Sequence, residues 1–198
     1  MNKEINGNQC TVLWHVDDLN ISHINKDIVS EIINLLEKEF RKEAPLTKNH
    51  GKVQQYLGKT IDFLTPGKVI FSMFNYVQNM LDALPVDMSG EAATLASLFL
   101  LDMNNDAKKL DEKVAIMFPH NKAKLLFLCK RARPDVQTAV AFLCTQVKMP
   151  DVDDYKKLCW VMRFLHATKL MPLTLEADLT YVIKWCVSES VTVQILKA

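Results

Sequence analysis

The sequence has almost no excess charge of one sign: 24 Lys and Arg stand against 23 Asp and Glu, a formal net charge of +1. A global basic field is therefore excluded, and any contact with nucleic acid has to come from a local patch. There is no Cys-x-x-Cys pair and no histidine at zinc-ligand spacing from a cysteine. Cys10, Cys129, Cys144, Cys159 and Cys186 are odd in number and scattered, which indicates neither a disulfide framework nor a zinc site. Most lie in apolar stretches, where a reduced cysteine packs as a small hydrophobe, as expected in a reducing compartment. Residues 1–9 are polar and form no apolar leader, and no uninterrupted apolar run approaches the roughly 18 residues of a membrane span. Internal repeats and low-complexity tracts are also lacking. The expectation is an intracellular protein, cytoplasmic with the nucleus as the other compartment, not secreted and with no membrane partner.

What is there is ordinary globular material. A chain of 198 residues, 49% hydrophobic and 24% charged, has enough apolar side chains for one substantial domain or two small ones. Residues 10–15 and 19–23 are rich in β-formers and flank Asp17 and Asp18, the pattern of a hairpin with acid at its tip. From Asn25, a plausible N-cap, the period changes: Ile28, Ile32, Leu35, Leu36 and Phe40 recur at helical spacing. Residues 53–63 and 68–73 are strand-like and joined by Thr65, Pro66 and Gly67, the composition of a tight turn. Val77, Met80 and Leu81 return to helical spacing before Pro85 stops the helix.

Residues 87–105 mix Ser89, Gly90 and alanines with an apolar run, the composition of a linker with an ambiguous short helix. Helices are predicted over 123–131, 134–147 and 152–168. Pro134 suits the first helical position, Asp135 suits the positive end of the dipole, and Asp151 with Asp154 has the spacing of a capping pair. Met149, Met162 and Met171 are expected to pack among apolar positions. Residues 173–177, 181–187 and 190–196 are predicted strands of a further sheet. The fold class is α+β.

Adjacent carboxylates at a hairpin tip can hold a divalent cation, with water and phosphate completing its shell. On local physics alone, an Asp-Asp pair is more often simple turn chemistry. The basic cluster Lys122, Lys124, Lys130, Arg131 and Arg133 has two readings, phosphate contacts or a solvated helix face. Gly58 permits close approach of another backbone, or marks a bend in a strand. The histidines form no partner pattern.

The order Trp14-His15-Val16-Asp17-Asp18-Leu19, a helix ending in Glu39-Phe40, and Tyr56-Leu57-Gly58 resembles copia-type retrotransposon reverse transcriptases. Those polymerases carry an aromatic-Val-Asp-Asp hairpin, such a helix, and a Tyr-Leu-Gly strand in the hairpin that grips the primer end. Residues 125–128 leading into Arg133-Pro134-Asp135-Val136, and the Val161-Met162-Arg163-Phe164-Leu165 helix, are similar to later segments of the same family. The likeness runs from about Thr11 to Trp185.

The resemblance implies Asp17 and Asp18 as catalytic, Mg²⁺-binding carboxylates, and Tyr56, Gly58, Lys130 and Arg133 as contacts to an RNA or DNA template-primer. It also implies departures. His15 stands where the family usually has tyrosine, the strand with the third carboxylate lies upstream of the hairpin in the family, and Ser188 falls where its ribonuclease H domain would place a first aspartate. The expectation is thus a fragment of an RNA-directed DNA polymerase, inactive alone. It comprises a partial palm with a primer-grip-like hairpin at 10–84, a linker at 85–106, a helical thumb and connection at 107–168, and the truncated start of a ribonuclease H-like sheet at 173–198. A palm short of strands would expose a sheet edge and associate with itself or with the rest of a polymerase. The alternative is a non-catalytic nucleic-acid- or protein-binding scaffold derived from such an element.

Overall fold

A computed structural model describes residues 1–40, 46–95, 99–104, 106–146, 149–176 and 189–195. The chain is an α+β protein whose residues gather into two compact units, one formed by residues 1–71 with 174–198 and the other by residues 72–173.

The first unit is built on two sheets. Strands β1 (Asn2–Ile5), β2 (Asn8–His15), β3 (Asp18–His23) and β4 (Leu46–His50) join the terminal strand β9 (Glu189–Ile195) in the order β1-β2-β3-β9-β4. The second sheet runs β5 (Val53–Tyr56), β6 (Lys59–Asp62), β7 (Lys68–Ser72) and β8 (Leu173–Glu176). Helix α1 (Lys26–Phe40) covers one face of the first sheet: Leu19 and Ile21 of β3 pack with Val29 and Ile33. Each such burial is worth roughly 1.5–3 kcal/mol, so the alternation in β3 fixes which face meets the helix. The helix starts where the sequence places its cap, the Asn25 side-chain oxygen accepting from the Asp27 N–H at 2.8 Å.

Two expectations are corrected in this unit. Residues 53–63 are not one strand but the hairpin β5–β6, because Leu57 and Gly58 both take positive φ, 51° and 72°. Those values turn the chain in two residues. The 65–67 turn before β7 is as expected, with Gly67 at φ 77° and the Lys68 N–H donating to the Thr65 carbonyl at 3.1 Å, the form of a type II turn. The second correction concerns the terminal strands, which do not begin a separate sheet. β9 pairs antiparallel with both β3 and β4, so β3 has a neighbour on each side, and β8 joins β7. The predicted strand at 181–187, and Ser188, lie outside the described residues.

The second unit is helical: α2 (Phe74–Asp82), α3 (Glu112–Cys129), α4 (Gln137–Thr145) and α5 (Val152–Ala167), with short 3₁₀ turns at Val86–Met88 and Pro134–Val136. Phe118, Leu125, Leu128, Leu143, Leu158 and Met162 form the centre of its core. The segment expected to be a linker belongs to this unit and contributes Met88 and Leu100 to that core. Helix α3 begins well before the predicted 123, continuing through Pro119. Pro134 opens a 3₁₀ turn that leads into α4, and Asp151 and Asp154 form the anticipated reciprocal cap on α5. Of the three methionines expected to pack, Met162 is buried, whereas Met149 and Met171 are exposed. No helix among the described residues is long and apolar enough to cross a membrane.

Candidate catalytic hairpin

The two aspartates sit differently from the pair at a tip that the sequence suggests. In the β2–β3 register His15 lies opposite Asp18, so Val16 and Asp17 alone make the turn and Asp18 is the first residue of β3. Val16 has φ 51° and is largely exposed. A β-branched residue in the left-handed region is strained, and such outliers cluster at functional sites. The Trp14 indole N–H donates to the Val16 carbonyl at 2.8 Å, and its ring meets Phe40 of α1 edge-on at 6.3 Å between centroids. The indole thus fastens the strained turn to the helix behind the sheet.

Strand alternation then separates two faces. Leu19 and Ile21 point into the α1 core, while Asn20 is buried elsewhere and donates to the Gln54 side-chain oxygen at 3.0 Å. Gln54 in turn donates to the Gly51 carbonyl at 2.8 Å. Two residues along each strand from this link are Asp18 and Tyr56. Burial raises the Tyr56 phenol above its ordinary pKa, and the Asp18 carboxylate raises it further. Lys59, opposite Tyr56 in the β5–β6 register, holds its ammonium 5.9 Å from the Tyr56 ring centroid and 5.3 Å from that of Phe71. Gly58 completes the turn beside them; a Cβ there would meet nothing within 4 Å, so glycine answers the φ of 72° rather than a close contact within the chain.

Asp17, Asp18, Tyr56 and Gly58 therefore belong to one unit, and Asp18 and Tyr56 to one neighbourhood. Carboxylate oxygens are the ligands Mg²⁺ prefers, and two adjacent aspartates suit one or two of its six positions. The strand alongside places Gln194, not a carboxylate, in register with Asp18. Among the described residues no three His, Cys, Asp or Glu side chains gather as a metal site.

The basic candidates belong to the helical unit, and the structure gives them different surroundings. Lys130 is exposed at the C-terminal end of α3, free to meet solvent anions. Arg133 is 3% exposed and committed internally. Its Nε and Nη2 donate to the Asp135 carboxylate at 2.9 and 2.7 Å, and its Nη1 and Nη2 donate to the Thr168 carbonyl and hydroxyl at 3.0 and 2.7 Å. It ties the start of α4 to the end of α5 and has no open fork for phosphate. Lys122 is also buried, donating to the Leu143 carbonyl at 3.0 Å in the last turn of α4, and burial lowers its pKa.

Three residues escape the sequence reading: Asn20 and Gln54, which lock the two hairpins together, and Lys59. Period-two alternation is the signal that could have found the first two, because it turns Asn20 away from Leu19 and Ile21 and so demands a partner for a polar group on the other face. No protein-family model, curated protein or solved structure matches the chain.

Proposed function

We propose that this chain is the palm and thumb-side portion of a copia-type RNA-directed DNA polymerase. Asp17 and Asp18 hold Mg²⁺ at the end of the β2–β3 hairpin, and the Tyr56-Gly58 turn meets the primer backbone. The observation that supports the reading is the strained Val16-Asp17 turn with Asp18 at the start of β3, the strand that the Asn20–Gln54 hydrogen bond links to a second tight hairpin. Holding the turn rigid serves a metal site, because ligands fixed in advance lose little freedom on binding.

When bound, the cation supplies charge neutralisation at the departing pyrophosphate and acidifies the attacking hydroxyl. The residues of this chain do the rest. Asp17 and Asp18 orient the ion, Tyr56 and Gly58 position the primer end, and exposed Lys130 attracts backbone phosphate in the helical unit. Two carboxylates leave most of the coordination shell to water, nucleotide phosphates and a carboxylate from a further stretch of polymerase. The chain by itself is on this account a binding module, with turnover arising only when the rest of the site is supplied.

Mn²⁺ in place of Mg²⁺ tests the metal assignment: it should broaden the amide resonances around Asp17 and Asp18, and Asp17→Asn should remove the effect. A template-primer duplex should bind with salt-dependent affinity that Tyr56→Ala weakens. Absence of both broadening and duplex binding overturns the proposal. Primer extension by the chain alone, lost in Asp17→Asn, would keep the polymerase and discard its incompleteness. A second reading, a non-catalytic scaffold, is favoured by Arg133, a basic residue of the resemblance that serves packing instead of phosphate.

A further inference from the structure

Helix α3 is apolar over more of its surface than its own unit covers. One face supplies Phe118, Leu125 and Leu128 to the core. On another face Glu112, Ile116, Pro119, Ala123, Leu126 and Lys130 are all exposed. These positions advance by alternate steps of four and three residues, the spacing that brings side chains into one seam along a helix. The inner four are apolar, and the two large ones stand well out in solvent, Ile116 at 71% and Leu126 at 41% exposure. A helix that is apolar on both sides is one that packs on both sides.

The seam is complementary to itself when a second α3 runs antiparallel to the first. Setting Pro119 opposite Ala123 of the second copy sets Ile116 opposite Leu126 and Glu112 opposite Lys130, and a two-fold axis repeats every pair. The same register brings Asp111, just before the helix, opposite Arg131, just beyond its end. These charges are uncommitted. The Asp111 side chain makes no capping hydrogen bond, and none of Asp111, Glu112, Lys130 and Arg131 has an ion-pair partner among the described residues. Arg131 lays its guanidinium on the Phe127 ring at 3.7 Å, which orients it without occupying its N–H donors. A parallel pairing in register would instead oppose Glu112 to Glu112 and Lys130 to Lys130, so the charges select the antiparallel arrangement.

We infer that this face of α3 is the contact surface for a second copy of the chain, forming a two-fold antiparallel helix pair with an apolar centre and opposite charges facing at each end. A single helix pair is a small interface, so the dimer is weak and depends on concentration. The surface lies within residues 72–173 and does not rest on the polymerase reading. Lys130 is common to both, so at that side chain the second copy and a backbone phosphate exclude each other.

Sedimentation velocity of the full chain at low salt, over a range of concentrations, tests the pairing. Wild type should pass from monomer to dimer. Ala123→Arg puts a long charged side chain at an exposed helical position that the fold tolerates, and it should weaken the dimer about tenfold or more. Charge reversal then tests the register. Glu112→Lys alone faces lysine with lysine at both ends, and Lys130→Glu alone faces glutamate with glutamate, so each should self-associate about fivefold more weakly than wild type. An equimolar mixture of the two variants restores opposite charges at both ends and should form heterodimers of about wild-type strength. Salt at about 1 M should erase the difference.

A wild-type chain that stays monomeric at every concentration overturns the proposal. So does a dimer that Ala123→Arg leaves unchanged, which would place the contact elsewhere. A mixture that associates no more tightly than either charge variant alone overturns the antiparallel register. If a charge variant does not fold, as read by circular dichroism, Ala123→Arg decides.

Discussion

Replacing Arg133 separates two accounts of the same residue. As a phosphate contact its loss would weaken nucleic-acid binding and leave the fold intact. As the structure has it, Arg133→Ala removes a guanidinium that is 3% exposed, and leaves the Thr168 carbonyl and hydroxyl and the Asp135 carboxylate without it. Breaking a buried ion pair from one side costs about 3–5 kcal/mol. Asp135 is 31% exposed, so water recovers part of its solvation and the expected loss falls to about 2–4 kcal/mol. For a unit of this size that is a fall in Tm of roughly 8–25 °C.

The two compact units make a single global transition an unsafe readout. Amide exchange resolved on α4 and α5 under urea measures the helical unit directly. Arg133→Lys should recover little, since one ammonium cannot serve both Asp135 and Thr168. An Arg133→Ala variant within about 0.5 kcal/mol of wild type, with reduced affinity for a template-primer duplex, would refute the reasoning and return the guanidinium to the phosphate role.

Three further outcomes follow from the same geometry. Val16→Gly should stabilise the first unit by roughly 0.5–1 kcal/mol in urea unfolding, because about 1–2 kcal/mol of left-handed strain is relieved against about 0.5–1 kcal/mol of added chain entropy; destabilisation would mean the exposed Val16 side chain makes contacts that matter. Burial raises the Asp154 carboxyl above its ordinary pKa of 3.8. In the window between 3.8 and that raised value the folded chain therefore binds more protons than the unfolded one, and this group makes stability fall as pH rises. The stability of wild type relative to Asp154→Asn should accordingly decline with pH across that window, and a difference that rises with pH would contradict the assignment. Lys130→Ala should lower duplex affinity at every sequence and reduce the salt slope by about one, leaving thermal stability unchanged; an unaltered slope would remove Lys130 from the interface.

The elements legible in the sequence are those whose causes are local. Asn25 caps α1 through its own side chain, the Asp151–Asp154 box spans three residues, and Pro66-Gly67 dictates its turn without outside help. The hairpin at Leu57-Gly58 is equally local but carries no Asn-Gly or Asp-Gly dipeptide, and Leu57 in the left-handed region is not something composition announces. Pro119 hides the first half of α3 for the opposite reason, since a proline that usually stops a helix is carried within this one. At the candidate site, Asp17 and Asp18 were readable as a hairpin pair, whereas the split between turn and strand, and the approach of Tyr56 to Asp18, depend on register. Arg133 misleads because one of its partners, Thr168, lies 35 residues away and nothing near Arg133 in the chain reveals it.

The terminal strand shows how far that non-locality reaches into function. β9 lies against β3 along its whole length, pairing Asp18 with Gln194 and His23 with Glu189. The strand that carries the candidate metal ligand is therefore central in its sheet, held by β2 on one side and β9 on the other. A central strand keeps its backbone hydrogen bonds on both sides, so Asp18 is positioned more firmly than Asp17, which has only the turn and the Trp14 clamp at Val16. Of the two candidate carboxylates, Asp18 is then the more fixed and Asp17 the more adjustable. β3 and β9 are separated by nearly the whole chain, so the loop between them must close before that position exists, which makes this pairing the slow and entropically costly part of forming the site. The candidate site thus depends on a contact that no local reading of the Asp-Asp motif contains.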